Sequence, residues 1–252
     1  MRNRALALAA DLHLSPGAGE EAERLEEFLA QVSRRASALY ILGDLFDFWV
    51  GRNMENWKEW APVVEVFRAS PVPLYFLAGN RDFLLAPFQL EGMGIHPSPE
   101  ETLLEGPGGK KWLLLHGDQL CTRDLAYQRT RRFLRSLPVR GVTRLLPFGW
   151  KLRIARALRR QSARSLGGRD PVCLAPTLEA VRARLARGVD GIFCGHIHRP
   201  GRYFLPGGEE PVLFVLSPWV DRGEWVLLGE GGALRVGPQG EEIPWPPREV
   251  LD

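Results

Sequence analysis

The chain has 252 residues, of which 45% are apolar and 25% charged, so its composition is that of a folded globular protein and excludes a disordered or collagen-like chain. No apolar run reaches the roughly 18 residues of a membrane-spanning helix. Three cysteines without close spacing argue against a disulfide framework or a cysteine metal site. The apolar run near the start is too short for a signal peptide, so we interpret it as the first strand of a cytoplasmic protein.

The charged residues are unevenly distributed. The net charge is +3, but thirteen of the 33 basic residues and none of the 30 acidic ones lie in residues 125–169. This basic segment favours an anionic partner, such as phosphate groups, nucleic acid or an anionic membrane surface. The alternative interpretation is an arginine-rich helical face that is merely solvated.

Apolar patterning predicts short strands that end in polar clusters. We expect strands at 4–10, 38–42, 73–78, 111–115 and 191–194, and helices at 20–35, 56–69 and 178–187. Residues 127–166 are helical in pattern with proline and glycine breaks, which predicts a helical insertion of several short pieces. Short strands are expected between 212 and 236, and an irregular tail after Pro238. This alternation favours an α/β fold with its site beyond the carboxyl ends of the strands.

Five strand ends carry Asp, Asn and His side chains. The clusters are Asp11-Leu12-His13, Gly43-Asp44, Gly79-Asn80-Arg81-Asp82, His116-Gly117-Asp118 and Gly195-His196-Ile197-His198. Oxygen and imidazole ligands without thiolate suit Mn²⁺, Fe, Co²⁺ or Zn²⁺ in a catalytic site. Seven candidate ligands exceed the need of one ion and fit two ions that share a carboxylate. They are Asp11, His13, Asp44, Asn80, His116, His196 and His198. Such a pair of ions suits phosphoester or phosphoanhydride hydrolysis.

Each cluster taken alone has a simpler interpretation. An Asp-x-His pair can be a capping residue with a nearby histidine, Gly-Asp an ordinary turn, and Asn80 a turn residue in a left-handed conformation. His196 and His198 are stronger candidates, because alternate residues of a strand point to one side. The coincidence of all five clusters at strand ends favours a shared site.

The clusters resemble the signature of the calcineurin-like metallophosphoesterases. More narrowly, the strings GDLFDFWVG, AGNRDFLL, LLHGDQLCT and GHIHRP resemble the UDP-2,3-diacylglucosamine pyrophosphatases of the lipid A pathway, over residues 5 to about 200. The resemblance implies a four-layer αββα sandwich, a single domain over 1–252 with a helical lid inserted at about 125–169. It also implies hydrolysis of this nucleotide-linked glycolipid to UMP and 2,3-diacylglucosamine 1-phosphate, at the inner face of the cytoplasmic membrane.

The resemblance assigns a role to each candidate ligand. Asp11, His13 and His198 would hold one metal ion, Asn80, His116 and His196 a second, and Asp44 would bridge them, with Mn²⁺ the typical metal. A carboxylate suits the bridging role because both of its oxygens carry lone pairs. Asp82 and Asp118 are expected to orient these ligands.

Arg81 stands where many members of the superfamily have a histidine that can protonate a leaving alkoxide. Arginine stays charged and cannot donate that proton, but its planar fork suits a phosphate. We therefore expect a substrate whose leaving group needs no proton. A pyrophosphate that releases a phosphate monoester meets this requirement, whereas an alkyl phosphodiester meets it less well.

Further substrate contacts are expected from the family positions. Besides Asn80, Arg81 and His196, these are Asp124, which holds the sugar in the family, and Ser162 and Arg169, which match by spacing only. Asp124 has an alternative role as the N-cap of the helix that follows. Apolar residues between 145 and 158 interleave with arginines, so this stretch suits an acyl-chain pocket, an anionic membrane surface or packing on the sandwich.

Three departures from the family pattern concern the substrate rather than the metals. They are Arg123, Leu166 and the string Ser217-Pro218-Trp219. They leave open a related acylated or nucleotide diphosphate as substrate. Two other classes also remain: an enzyme for nucleic acid or another phosphodiester, which Arg81 argues against, and a non-catalytic scaffold, which the full ligand set argues against. The oligomeric state is not specified by the sequence.

Overall fold

Two β-sheets form the centre of this computed structural model, which describes residues 5–17, 19–51, 58–136, 139, 141, 146–151, 153–154, 157 and 171–252. The strands of the described residues are β1 Leu6–Ala9, β2 Leu39–Leu42, β3 Leu74–Leu77, β4 Ile95–Ser98, β5 Glu101–Glu105, β6 Lys111–Leu115, β7 Gly191–Cys194, β8 Gly201–Phe204, β9 Pro211–Val215, β10 Trp225–Gly229, β11 Gly232–Val236, β12 Glu242–Ile243 and β13 Glu249–Val250. Their α-helices are α1 Gly19–Arg35, α2 Ala61–Arg68, α3 Pro87–Gly92, α4 Leu125–Leu134, α5 Leu178–Leu185 and α6 Trp219–Arg222.

The strand order brings the predicted clusters to one edge. The first sheet has the order β12-β11-β10-β1-β2-β3-β4, and the second β13-β8-β9-β7-β6-β5. Strands β1 to β4 pair in parallel, as do β6 and β7. Because parallel neighbours end on the same side, the loops after β1, β2 and β3 lie together, and so do the loops after β6 and β7.

The core has three apolar layers, which define a four-layer αββα sandwich. Between the sheets, residues such as Leu8 and Leu42 of the first sheet belong to one buried cluster with Phe193 and Phe214 of the second. Helices α1 and α2 cover the outer face of the first sheet, and α5 covers that of the second. The central strands β1, β2, β3, β6 and β7 are largely buried on both faces, which explains why they appear in the sequence as short continuous apolar runs. The predicted fold class is confirmed.

Several elements differ from the predictions. The tail after Pro238 is not irregular throughout, because β12 and β13 each add a two-residue edge strand to a sheet. Such strands are too short for a readable period. The helix expected at 56–69 is a 3₁₀ turn, Lys58–Trp60, followed by α2. Elements α3, β4, β5 and β8 were not predicted, and neither was α6, which interrupts the region where only short strands were expected.

Only the first helix of the predicted helical insertion can be given with its bounds among the described residues. Helix α4 opens it at Leu125, two residues before the predicted helical pattern begins. Most residues beyond 136 in this segment, among them Ser162, Leu166 and Arg169, lie outside the described residues. None of the described helices is long and apolar enough to cross a membrane.

Candidate metal centre

The seven candidate ligands converge where the two sheets meet. Ligating atoms of Asp11, His13 and His198 lie within 4.8 Å of one another, and so do those of Asp11, Asp44 and His116. Asp11 belongs to both groups. Asn80 joins them, because its Oδ1 lies 2.9 Å from Nε2 of His116 and 3.0 Å from Nδ1 of His196. The structure therefore brings together the whole set predicted from the strand ends.

The backbone is strained at most of these residues. Among the described residues, the non-glycine positions with positive φ are Asp11 (55°), His13 (47°), Asp44 (50°), His196 (64°) and His198 (55°). All five are candidate ligands. A left-handed conformation at a non-glycine residue costs about 1–3 kcal/mol, and it persists where the surroundings impose it, often at functional sites. The strain thus marks the same residues as the ligand chemistry.

Two glycines allow the loops to approach the carboxylates. A Cβ at Gly79 would lie 2.2 Å from Oδ1 of Asp44, and one at Gly195 would lie 2.4 Å from Oδ2 of Asp11. Both distances are too short for a side chain. The Gly-Asn and Gly-His dipeptides of the sequence therefore supply close packing of the loops as well as a turn.

The protonation states of His13 and His196 suit metal binding. Burial and the positive charge of Arg81 lower the pKa of His13 to about 3, and burial with nearby His116 lowers that of His196 to about 4. Both rings are therefore neutral at pH 7, as a ligand must be. Burial opposes protonation of His116, but Asp44 and Asp11 raise its pKa to about 9. Positive charge is thus favoured between these two carboxylates.

Unpartnered buried atoms show that the residues fit a divalent cation. Oδ1 of Asp11 and both ring nitrogens of His13 are buried and have no hydrogen-bond partner among the described residues. A buried polar atom left without a partner costs about 1–3 kcal/mol. A cation with mixed oxygen and nitrogen ligands would satisfy these atoms.

Arg81 lies beside the centre between two buried carboxylates. Its Nη1 donates to Oδ1 of Asp47 at 2.9 Å, and its Nε lies 3.5 Å from Oδ2 of Asp44. Its backbone N–H also donates to Oδ1 of Asp44 at 2.9 Å. The side chain remains 30% exposed, so the guanidinium is held in place yet accessible to an anion. Sequence reasoning did not assign a role to Asp47, although it lies within the string GDLFDFWVG.

Asp82 connects the loops that carry Asp44 and Asn80. It accepts hydrogen bonds from the backbone N–H groups of Leu45, at 2.7 Å, and Gly79, at 2.9 Å. Burial and the nearby Asp44 raise its pKa to about 7. Its contacts are with backbone groups, so any effect on ligand orientation acts through the loops.

Asp118, two residues after His116, lies under the start of α4. It accepts hydrogen bonds from the hydroxyl of Tyr127, at 2.9 Å, and from Nε of Arg131, at 2.6 Å. Burial would raise the pKa of Asp118, but the charges of His116, His196 and Arg131 hold it well below its usual range. Tyr127 and Arg131 are residues that sequence reasoning missed as part of this site.

Asp124 has the alternative role that the sequence left open. Its Oδ1 accepts a hydrogen bond from the backbone N–H of Tyr127 at 2.9 Å, so it is the N-cap of α4. The side chain is buried. Ser162 and Arg169, the other two expected substrate contacts of this region, lie outside the described residues.

Comparison with known proteins identifies relatives over nearly the whole chain. The family model of the calcineurin-like phosphoesterases matches residues 5–200. A UDP-2,3-diacylglucosamine hydrolase of Edwardsiella ictaluri is 35% identical over 245 residues, which cover 95% of this chain and 92% of that protein. Another, of Nitrosococcus oceani, is 37% identical over 221 residues and covers 86% of this chain and 88% of that protein. A third, of Pseudomonas putida, is 34% identical over 240 residues, which cover 92% of this chain and 97% of that protein.

Proposed function

Because the chain belongs to the calcineurin-like phosphoesterases and, within them, to the UDP-2,3-diacylglucosamine hydrolases, we propose that it cleaves the pyrophosphate of UDP-2,3-diacylglucosamine. The products are UMP and 2,3-diacylglucosamine 1-phosphate. The observation that carries this proposal is the convergence of seven side chains of metal-ligand type beside an arginine held by two carboxylates. The class of enzyme is a metal-dependent hydrolase.

The proposed centre holds two divalent ions, most suitably Mn²⁺. Asp11, His13 and His198 would hold the first ion, Asn80, His116 and His196 the second, with Asp44 between them. The grouping of Asp11 with both His198 and Asp44 supports two adjacent sites. When bound, such ions polarise phosphoryl oxygens and make a water nucleophilic at neutral pH. The chain itself supplies the geometry and, at His13 and His196, neutral imidazoles.

In the proposed reaction, Arg81 binds the phosphate of the leaving group. Water attacks one phosphorus, the P–O–P bond breaks, and the departing oxygen keeps the electron pair as part of a phosphate monoester. Such a monoester has a second pKa near 6, so it needs no general acid at pH 7. The guanidinium, fixed by Asp47 and Asp44, stabilises the charge that develops there. Asn80 and His196 would complete the phosphate-binding surface.

We assign binding of the lipid part of the substrate to the basic segment, residues 125–169, as an insertion in the single domain 1–252. Asp124, Ser162 and Arg169 are the proposed contacts to the sugar and its phosphate. Large apolar side chains of this segment are exposed, with Phe133 66% and Trp150 62% accessible. Apolar side chains among basic ones suit the surface of an anionic membrane. These side chains support our proposal that the enzyme acts peripherally at the inner face of the cytoplasmic membrane.

Release of UMP tests the function. The purified protein should release UMP from UDP-2,3-diacylglucosamine in detergent when Mn²⁺ is present. Asp44→Ala should abolish release, whereas Glu23→Ala, on the exposed face of α1, should not. Absence of release, together with Mn²⁺-dependent cleavage of an aryl phosphodiester, would overturn the lipid assignment and retain the metal chemistry.

A further inference from the structure

Helix α4 presents a polar face to the metal centre. Tyr127, Arg131 and Arg135 follow one another at intervals of four residues, with Arg135 at the C-cap, so they lie along one side of the helix. Side chains of Arg131 and Arg135 are only 17% and 14% exposed. By contrast, Arg129 and Arg132 of the same helix are exposed. The basic residues of this helix thus divide into an inward pair and an outward pair.

The first half of this face contacts the loop that carries His116. Asp118 accepts from both the Tyr127 hydroxyl and Nε of Arg131. The Tyr127 ring also lies 5.7 Å from the ring of His196, centroid to centroid. Helix α4 therefore contacts the ring of His196 directly and the loop that carries His116 through Asp118.

The second half of this polar face, at Arg135, contacts the loop that carries Asn80, the third ligand of the proposed second ion. Nη2 of Arg135 donates to the carbonyl oxygen of Gly79 at 2.8 Å, and its guanidinium lies 5.4 Å from the centre of the Phe83 ring. Gly79 directly precedes Asn80. The orientation of its peptide group therefore bears on where the Asn80 side chain lies.

Glu100 links the two arginines. It accepts a hydrogen bond from Nη2 of Arg131 at 3.0 Å and forms an ion pair with Arg135. The carboxylate thus lies between two guanidinium groups that bind different ligand loops. Its own side chain is 46% exposed, so this link is closer to solvent than the contacts it supports.

We propose that Arg131 and Arg135 are positioning residues that hold Asn80, His116 and His196 in the arrangement needed for the second metal ion. They act through Asp118, Gly79 and Glu100. The proposal deepens the proposed function and rests on its dinuclear centre. It also separates two roles within the basic segment, since these two arginines stabilise the metal site and the exposed ones remain available to the substrate or a membrane.

The test compares Arg135→Met with Arg129→Met. Both changes remove one charge from α4 and replace arginine by a residue of similar helix propensity, but only the first removes the donor to Gly79. Metal content, Mn²⁺ titration and the electron paramagnetic resonance of the Mn²⁺-loaded proteins are measured together with kcat and KM. Loss of a residue that orients ligands costs roughly 10-fold to 100-fold in metal affinity.

The expected result is that Arg135→Met binds its second Mn²⁺ roughly 10-fold to 100-fold more weakly. Its spectrum changes from a spin-coupled pair to an isolated ion, and kcat falls when Mn²⁺ is limiting. Arg129→Met keeps the wild-type affinity and spectrum. Arg135→Lys, which can donate to Gly79 or pair with Glu100, restores part of the affinity. Glu100→Gln, at a more exposed position, gives a smaller loss of affinity for the second Mn²⁺. This variant provides an independent test in case Arg135→Met does not fold.

Other results would overturn the proposal. Two tightly bound ions in both Arg135→Met and Glu100→Gln, with a raised KM, would mean that these residues contact the substrate instead. Equal weakening in Arg129→Met would mean that only net charge matters. Two bound ions in the wild type and in every variant would refute only the positioning role. A single bound ion in the wild type would refute the dinuclear centre, and the positioning role together with it.

Discussion

Arg81 donates a hydrogen bond to Asp47, with 2.9 Å between Nη1 and Oδ1. Asp47 is buried, whereas Arg81 is partly accessible, so the carboxylate fixes one end of a guanidinium whose other side can meet an anion. A guanidinium that is already fixed in position loses less conformational freedom on binding a phosphate than a mobile one does. Asp47, in the loop after β2, therefore supports the proposed reaction by fixing the guanidinium that binds the leaving phosphate.

Asp47→Asn should impair catalysis without removing metal. The substitution keeps the size of the side chain but removes the charge that holds Arg81, and a hydrogen bond to a charged group contributes about 1.5–3 kcal/mol. We expect kcat/KM for the pyrophosphate to fall roughly 10-fold to 100-fold. Steady-state kinetics and metal analysis of the same preparation measure this. Normal kcat/KM in Asp47→Asn would show that Arg81 needs no such support.

Arg81→His should change the preference between substrates. The imidazole loses the bidentate phosphate contact, so hydrolysis of the pyrophosphate should fall by about two orders of magnitude. An alkyl phosphodiester should be hydrolysed at least as fast as by the wild type, because imidazolium can protonate its poor leaving group, an alkoxide. The ratio of the two rates is the measurement. Arg81→Lys is the control, since it keeps the charge and cannot act as an acid at pH 7. An unchanged pyrophosphate rate in Arg81→His would refute the role of Arg81.

Removal of metal should lower the melting temperature. Five ligands are held in a left-handed conformation and several buried ligand atoms lack partners, so the folded state alone offers this site. A metal at one hundred times its Kd adds about 2.7 kcal/mol to the free energy of unfolding. For a chain of this size that corresponds to a Tm shift of roughly 5–10 °C.

Thermal unfolding with Mn²⁺ and with EDTA measures the shift. Asp44→Ala, which lacks the proposed bridge, should show little of it. A Tm that is the same with and without EDTA in the wild type would contradict a metal centre at these residues.

Exposed aromatic residues of the basic segment should contribute to membrane binding. Phe133 and Trp150 are 66% and 62% accessible, and burial of one such side chain is worth about 1.5–3 kcal/mol. Phe133→Ser or Trp150→Ser should therefore weaken binding to vesicles that contain anionic lipid by at least about 10-fold. Cosedimentation measures this. Leu234→Ser, at 42% accessibility on β11, should bind as the wild type does. Equal binding by all variants would contradict this surface.

Much of the fold and most of the site could be predicted from the sequence, because each candidate ligand lies one to four residues after the end of a short apolar strand. Strand β4 could not, since its sequence Ile-His-Pro-Ser is largely exposed and contains a proline. The supporting contacts were also unpredictable. Asp47 lies 34 residues from Arg81, and Arg135 lies 56 residues from Gly79. No local pattern specifies such pairs, because they depend on how helices and loops pack in three dimensions.

The division of ligands between the two sheets has a consequence for local opening. Asp11, His13, Asp44 and Asn80 follow strands of the first sheet, and His116, His196 and His198 follow strands of the second. A bound metal pair would therefore act as a cross-link between sheets that otherwise adhere through apolar contacts. With metal, amide hydrogens of β2 and β7 should exchange with solvent together, in one cooperative event. Without metal, the two sheets become free to open at different rates.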